Sequence, residues 1–256
     1  MITRYTVTLR GTSMASLDPS ILILDIQHHP VSQQDDVLTL AKRQGSILQR
    51  SYVDKCSVTV TFQIRKYDIA ERQTVCSKIA KWVIGGGVLI TNDRPNQKLT
   101  VDGWTLPVIP SALRWTDPLQ LTFIAYAIPY WEATNAPQEI VTGTRGGADF
   151  EVPGNVKNVP CEMRAVVTGD TAMNRITFTV NNRSLMLSGL NAAKNSTLQI
   201  MYDSKMIQYI KIGTTSLLDK RSGVDDLLCD CGATNYFNFS SNTECRVYFL
   251  PRGWWY

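Results

Sequence analysis

Three consecutive glycines, Gly85-Gly86-Gly87, stand in the stretch "CSKIAKWVIGGGVLITNDRPNQKL" at residues 76–99 and are the first residues whose type and spacing suggest chemistry. Glycine-rich turns cradle phosphate when they follow a strand and lead into a helix N-terminus, where free N–H groups and the positive dipole end face the anion. Here the order is reversed. The helical pattern precedes the glycines, no Gly-Lys-Ser/Thr follows, and no further spaced glycine completes a dinucleotide fingerprint. The spacing therefore predicts a helix C-terminus, with Gly85 left-handed at C′ and the other two easing the chain into a strand.

The remaining reactive residues are scattered. His28 and His29 precede Pro30 in a polar segment with no Gly-x-Ser-x-Gly nucleophile motif anywhere in the chain, and they read as an exposed loop pair. Asp35-Asp36 and Asp225-Asp226 are sequence neighbours whose side chains diverge on strand or helix, so they read as solvated acids and not as converging catalytic pairs. The six cysteines (Cys56, Cys76, Cys161, Cys229, Cys231, Cys245) form no dense disulfide framework and read as packed or spare thiols. Cys229-Asp-Cys231 with Cys245 lacks a fourth ligand, and both histidines lie far off near residue 28. The expectation is a chain without catalytic, metal or cofactor-binding residues, hence not an enzyme.

The elements that would position these residues are mostly strands. With 256 residues the chain can build one large or two ordinary domains, and a net charge of +4 without any Lys/Arg block names neither nucleic acid nor an anionic membrane as default partner. Residues 1–10 alternate polar and apolar with no apolar h-region, so the expectation is synthesis and folding in a cytoplasm. Residues 4–9 and 21–26 read as strands, and the polar stretch 28–46 is a long excursion of the kind that binds something or pairs with a neighbour. Residues 56–64 alternate most clearly, with Val58, Val60, Phe62 and Ile64 on one face.

One convincing helix follows over residues 69–84, about 24 Å long. Asp68 is its N-cap, Glu71 approximates a capping box, and Ile69, Cys76, Ile79, Ala80 and Val83 recur at helical spacing. Strands are expected at 88–91, 99–106, 112–115 and 119–126. Residues 132–155 carry Asn135, Pro137, Gly143, Gly146, Gly147, Pro153 and Gly154 and read as a loose boundary. Short strands at 162–167, 175–180, 184–187, 197–201, 206–212, 236–240 and 246–250 then suggest a β-sandwich.

Three segments together resemble a known family. They are "RSYVD" at 50–54, "SVTVTFQIRKYDIAERQTVCSKIAKWVIGGGVLITNDRPNQKLTV" at 57–101 and "SALRWTDPLQLTFIAYAIPYWE" at 111–132. A strand with Arg65-Lys66-Tyr67-Asp68, a Lys-x-x-x-Trp helix ending in glycines, the Asp93-Arg94-Pro95 turn and a closing Pro-Tyr-Trp are similar to the distal tail (Dit) proteins of long-tailed bacteriophages. The resemblance covers residues 1–132.

It implies a mainly β chain: a ring-forming, tail-tube-like β-sandwich with one α-helix at 1–132, a linker at 133–155, and a galectin-like β-sandwich at 156–256. It further implies a structural virion protein forming a homo-hexameric ring between the tail tube protein and a tail-tip, hub or adhesion protein, with receptor-binding proteins as further partners. DNA would be in transit through the lumen only, with no membrane insertion. Candidate inter-subunit or partner contacts are Lys42, Arg43, Arg50 and Tyr52 on the long arm at 28–55, and Trp254, Trp255 and Tyr256 at the end of the sequence. Two other readings are a carbohydrate-binding adhesin of two sandwiches and a cell-wall hydrolase. Ring assembly separates the first reading from the adhesin, and measurable turnover would mark the hydrolase.

Overall fold

Alternation of apolar and polar residues makes Cys56–Ile64 a strand with Val58, Phe62 and Ile64 buried. In the computed structural model, which describes residues 5–31, 33–39, 46–108, 114, 117–134 and 139–256, this strand is central in a four-stranded sheet. The order is Ile21–His29, Cys56–Ile64, Leu119–Ala125, Gly103–Thr105, with antiparallel neighbours throughout. Leu121 lies opposite Val60 and Phe123 opposite Val58, so two separately apolar faces become one. A second sheet runs Thr12–Ser13, Val7–Leu9, Gly87–Thr91, Gln97–Val101, burying Val7, Leu9, Leu89 and Leu99 completely. The strand expected at 112–115 lies outside the described residues, apart from Arg114.

The helix spans Ile69–Val83, and its N-cap Asp68 accepts from the Ala70 N–H at 3.1 Å. Its buried stripe is Arg72, Val75, Cys76, Ile79, Trp82 and Val83, with Trp82 edge-on to Phe123 at 5.9 Å. That stripe begins on an arginine, which hid it from a purely apolar reading; Ile69, expected on the buried side, is 50% exposed. Residues up to Trp131, with Tyr256, form one compact unit, and Glu132–Trp255 form another. Among the described residues no helix is long and apolar enough to cross a membrane.

The second unit is organised by the 17-residue strand Thr234–Leu250, whose odd-numbered side chains point inward, with Phe237, Cys245, Val247 and Phe249 buried. Glu139–Glu151 pairs with it from end to end. On its other edge, Met173–Val180 pairs with residues 237–241 and Glu162–Val167 with residues 245–250, so the sheet forks at its middle. Each branch continues, one through Arg183–Ala192 and Arg221–Gly223, the other through Thr197–Tyr202 and Gln208–Ile212. Residues twelve apart on a straight strand would be about 40 Å apart. Yet the rings of Phe237 and Phe249 stack with centroids 4.8 Å apart. The strand therefore folds over on itself, and the sheet curls into a sandwich.

The corner lies at residues 241–244, where the ladder passes from Gly143↔Cys245 to Arg145↔Ser240. Asn242 holds it, its Oδ1 accepting from the N–H groups of Asn174 at 2.9 Å and Arg175 at 3.1 Å. The two strands expected at 236–240 and 246–250 are thus one strand bent at the expected gap. Residues 132–155, expected to be loose, hold the Glu139–Glu151 strand. Their glycines serve packing instead: Gly143 has φ +135° at the corner, and a Cβ on Gly147 would fall 2.1 Å from Asn238 Oδ1.

Candidate interaction surface

The triple glycine answers its own question through Arg10. Gly85, Gly86 and Gly87 have φ of +89°, +60° and +124°. All three, not Gly85 alone, adopt backbone that L side chains avoid. The helix closes with Ile84 N–H on the Ala80 carbonyl at 3.2 Å and Gly86 N–H on the Val83 carbonyl at 3.1 Å. The Arg10 guanidinium then lies across its end, Nη1 donating to the Ile84 carbonyl at 2.8 Å and Nη2 to the Trp82 carbonyl. A cation on terminal carbonyls is what the negative end of a helix dipole favours.

A Cβ on Gly87 would sit 2.6 Å from Arg10 Cγ, and one on Gly86 2.2 Å from the Val101 carbonyl oxygen. Gly87 therefore does not merely ease entry into the strand. It leaves the passage through which Arg10 reaches the helix. These glycines admit a cation, not a phosphate.

His28 and His29 lie on a strand and not in an exposed loop, because Ile21–His29 pairs with Cys56–Ile64 to its last residue, His29 opposite Ser57. His28 Nε2 is 2.5 Å from Asp93 Oδ2, and its ring stands edge-on to Trp131 with centroids 5.1 Å apart. Burial raises the Asp93 pKa, but the neighbouring Thr91 side chain and the hydrogen bond to His28 outweigh it and hold the carboxyl below its usual range. The Arg94 guanidinium lies 4.9 Å from the Trp131 ring centroid. The Asp93-Arg94-Pro95 turn is thereby tied to the strand from which the polar excursion departs.

The cysteines are all free and buried. Burial pushes the Cys56 thiol up to about 11, and burial with Cys229 beside it raises Cys161 well above the ordinary thiol range. Such thiols stay protonated and unreactive. Among the described residues, no group of three or more His, Cys, Asp or Glu side chains could hold a metal ion. Asp225 and Asp226 do diverge: Asp225 accepts from Arg221 Nη2 at 2.8 Å, and Asp226 from the Tyr202 hydroxyl at 2.6 Å. Asp226 is thus engaged by a buried tyrosine and is not merely solvated.

The polar excursion is an antiparallel hairpin of Gln33–Thr39 and Ser46–Val53, two strands that form a sheet by themselves. Lys42 and Arg43 lie outside the described residues. Arg50 stands opposite Asp36 and Tyr52 opposite Gln34 in the backbone register. Val37 and Leu48 also face each other across the hairpin and are 58% and 57% exposed. Neither was singled out from the sequence, because an apolar residue inside a polar run carries no periodic signal.

The closing aromatic residues divide. Trp254, on the short strand Trp254–Trp255, is buried, and its Nε1 donates to Glu132 Oε1 at 2.9 Å. Arg252 joins the same cluster, donating from Nη1 to Glu132 Oε1 at 3.3 Å and from Nη2 to Glu162 Oε1 at 2.6 Å. Trp254 is thus spent on its own unit's core and is no surface anchor. Trp255 is half-buried, whereas Tyr256 is 48% exposed and stands edge-on to Tyr130 at 5.7 Å. Arg252, Glu132 and Glu162 come from sequence positions too distant for any motif to link.

No protein-family model matches this sequence, and no curated protein matches it. The architecture, mainly β with curled sheets and one helix in the first unit, is a Dit-like β-sandwich fold. In particular, it is similar to the crystal structure of SPP1 Dit (gp 19.1), described as a paradigm of hub adsorption apparatus in Gram-positive infecting phages. The TM-score is 0.69 at 10% identity, over 97% of this chain and 98% of that one. Chains of the phage P2 baseplate in its activated conformation match at lower similarity. With Ca the TM-score is 0.49 at 8% identity over 99% and 98% of the two chains. With Sr it is 0.49 at 7% identity over 97% and 97%. What is shared at such identities is the fold.

Proposed function

We propose that this chain is a structural component of a phage tail, a ring of six copies that joins the tail tube to the tail-tip or adhesion proteins and lets DNA pass at ejection. The observation that carries the reading is the fold shared with SPP1 Dit over nearly the whole of both chains, rather than over one sandwich. The hairpin at 33–53 supports it, because a two-stranded sheet with an exposed apolar pair is marginal alone and gains from a neighbouring copy. In this reading residues 1–132 make the ring and residues 156–256 form a peripheral galectin-like sandwich, to which the Glu139–Glu151 strand belongs. The tube protein, a hub protein and receptor-binding proteins are its partners in the virion. It has no turnover and needs no cofactor.

Electron microscopy of the purified protein, and of the particle that carries it, tests the reading. Six copies in a closed ring at the distal end of the tube are expected. A single copy per particle, or a position at fibre tips, would overturn it. Strong, specific glycan binding by the full chain without ring assembly would favour the adhesin instead.

A further inference from the structure

Directly paired residues of an antiparallel sheet share a face, so in the second unit the register lays side chains in rows that cross the strands. One row runs Tyr248, Arg164, Gln199, Lys211, Ser216. Arg164 stands opposite Tyr248 on one side and Gln199 on the other, Gln199 opposite Lys211, and Lys211 opposite Ser216. Their strand neighbours Ala165, Leu198, Ile200, Ile210 and Val247 are buried, so the row lies on the face turned away from the core. Arg164 and Ser216 are exposed, and the other three are half-buried. Arg246, also exposed, lies two residues from Tyr248 and opposite Val166. That makes it the diagonal neighbour of Arg164, about 7 to 8 Å away.

The cations of this face are held by rings and not by acids. The Arg164 guanidinium lies 5.7 Å from the Tyr248 ring centroid, and the Lys211 ammonium 4.8 Å from that of Tyr209 on its own strand. Among the described residues neither of them, nor Arg246, has a carboxylate partner, whereas Arg221 and Arg252 of the same unit are spent on Asp225, Glu132 and Glu162. The nearest acids along the strands leave the row positive. Glu162 is drawn to Arg252 at 2.6 Å and to the Tyr202 N–H at 3.1 Å, and exposed Glu244 makes no ion pair among the described residues. Arg164 and Arg246 thus repel each other on an open face, a cost that an anion seated between them removes.

We infer that this row binds an acidic polysaccharide in which charged sugars are separated by neutral ones. The spacing carries the assignment. Arg164 and Lys211 are two strands apart, about 10 Å, and Gln199 stands between them with an amide that both donates and accepts hydrogen bonds. Sugar carboxylates would rest on the two cations, and the hydroxyls of the intervening sugar on Gln199, with the Tyr248 and Ser216 hydroxyls at either end. A nucleic acid matches the row poorly, because each strand of a duplex carries a phosphate about every 3.4 Å. The tyrosine faces on which bases would stack are, moreover, already taken by Arg164 and Lys211. The site lies within one chain, so it stands whether or not the ring forms. In a ring, its repetition would bind a long polymer more tightly than one copy does.

The test is fluorescence anisotropy of a labelled hyaluronan oligosaccharide, whose carboxylates fall on alternate sugars, titrated with the purified full-length chain at low and at moderate salt. Binding that weakens as salt rises is expected. Arg164→Gln with Lys211→Gln should lower the affinity about tenfold and Arg246→Gln about threefold, with unchanged melting temperatures. The control Lys157→Gln with Arg183→Gln removes the same charge from exposed positions off the row and should change affinity by no more than about twofold. Absence of binding at low salt overturns the site. An equal loss in the control also overturns it, since net charge alone would then attract the polymer. Tighter binding of a single-stranded oligonucleotide of equal charge would overturn the polysaccharide assignment and make the face a nucleic-acid surface.

Discussion

The hairpin of Gln33–Thr39 and Ser46–Val53 and the ladder of Glu139–Glu151 with Thr234–Leu250 are both antiparallel strand pairs, each interrupted by a register shift. In the ladder, the long strand is flanked on its other edge by two further strands, and its inward side chains are buried. In the hairpin no third strand is added among the described residues, and the opposed Val37 and Leu48 are more than half exposed. Backbone pairing is the same in both. The difference lies in what covers the faces, since net stability comes from apolar burial and not from exchanging water for a ladder partner. The ladder belongs to a finished core, whereas the hairpin leaves its opposed apolar pair exposed.

The comparison can be broken most severely in the ladder. Phe249 is fully buried between Phe150 and Phe237, so Phe249→Ala should cost about 4 kcal/mol in chemical denaturation of the second unit. A loss below about 1 kcal/mol would mean that the folded-over strand is not the core. Next comes Arg252→Met, which leaves Glu132 and Glu162 as uncompensated, largely buried carboxylates; about 3 kcal/mol is expected. Adding Glu132→Gln and Glu162→Gln should recover much of that loss, and failure to recover it would place the role of Arg252 elsewhere.

In the first unit, Gly86→Ala combines φ +60° with a Cβ 2.2 Å from the Val101 oxygen and should cost about 2 kcal/mol. Gly85→Ala, whose Cβ would meet only the end of the Arg10 side chain, should cost about 1 kcal/mol. ATP with magnesium should shift neither melting temperature, and a nucleotide-dependent rise abolished by Gly86→Ala would restore a phosphate site.

Asp18 adds a pH dependence. Hydrogen bonds from the Ser20 hydroxyl and amide, then Lys78 at 3.0 Å, lower its carboxyl from 3.8 to about 2. That stabilisation is complete above about pH 4 and fades as pH falls through about 2. Asp18→Asn should therefore cost about 1 kcal/mol near neutrality, after allowance for solvent screening, and converge with wild type in acid. A constant offset at all pH values would exclude the ion pair as the cause. The smallest effect is reserved for the hairpin. Val37→Ser with Leu48→Ser should change the stability of the isolated chain by no more than about 0.5 kcal/mol while abolishing ring assembly. A large stability loss would show that the hairpin is already covered within its own chain.

Much of the local structure was legible in the residues themselves. Period-two alternation marked Cys56–Ile64 and Leu119–Ala125, and Asp68 with the glycines marked the ends of the helix, because these signals act between residues a few positions apart. The Dit-like resemblance was carried by the same first half of the chain. Of the candidate contact surface, Trp254 is buried, while Val37 and Leu48, which no periodic signal marked, are exposed. The sequence by itself determined the strongly alternating strands such as Cys56–Ile64 and Leu119–Ala125, where the helix stops, and that the triple glycine has the wrong polarity for phosphate. Only the tertiary structure decided that Arg10 caps that helix, that His28 meets Asp93, that Arg252 gathers Glu132 and Glu162, and that Thr234–Leu250 folds over to stack Phe237 on Phe249. Those contacts depend on which strands become neighbours. Neighbour choice is set by burying many faces at once, which no local pattern encodes.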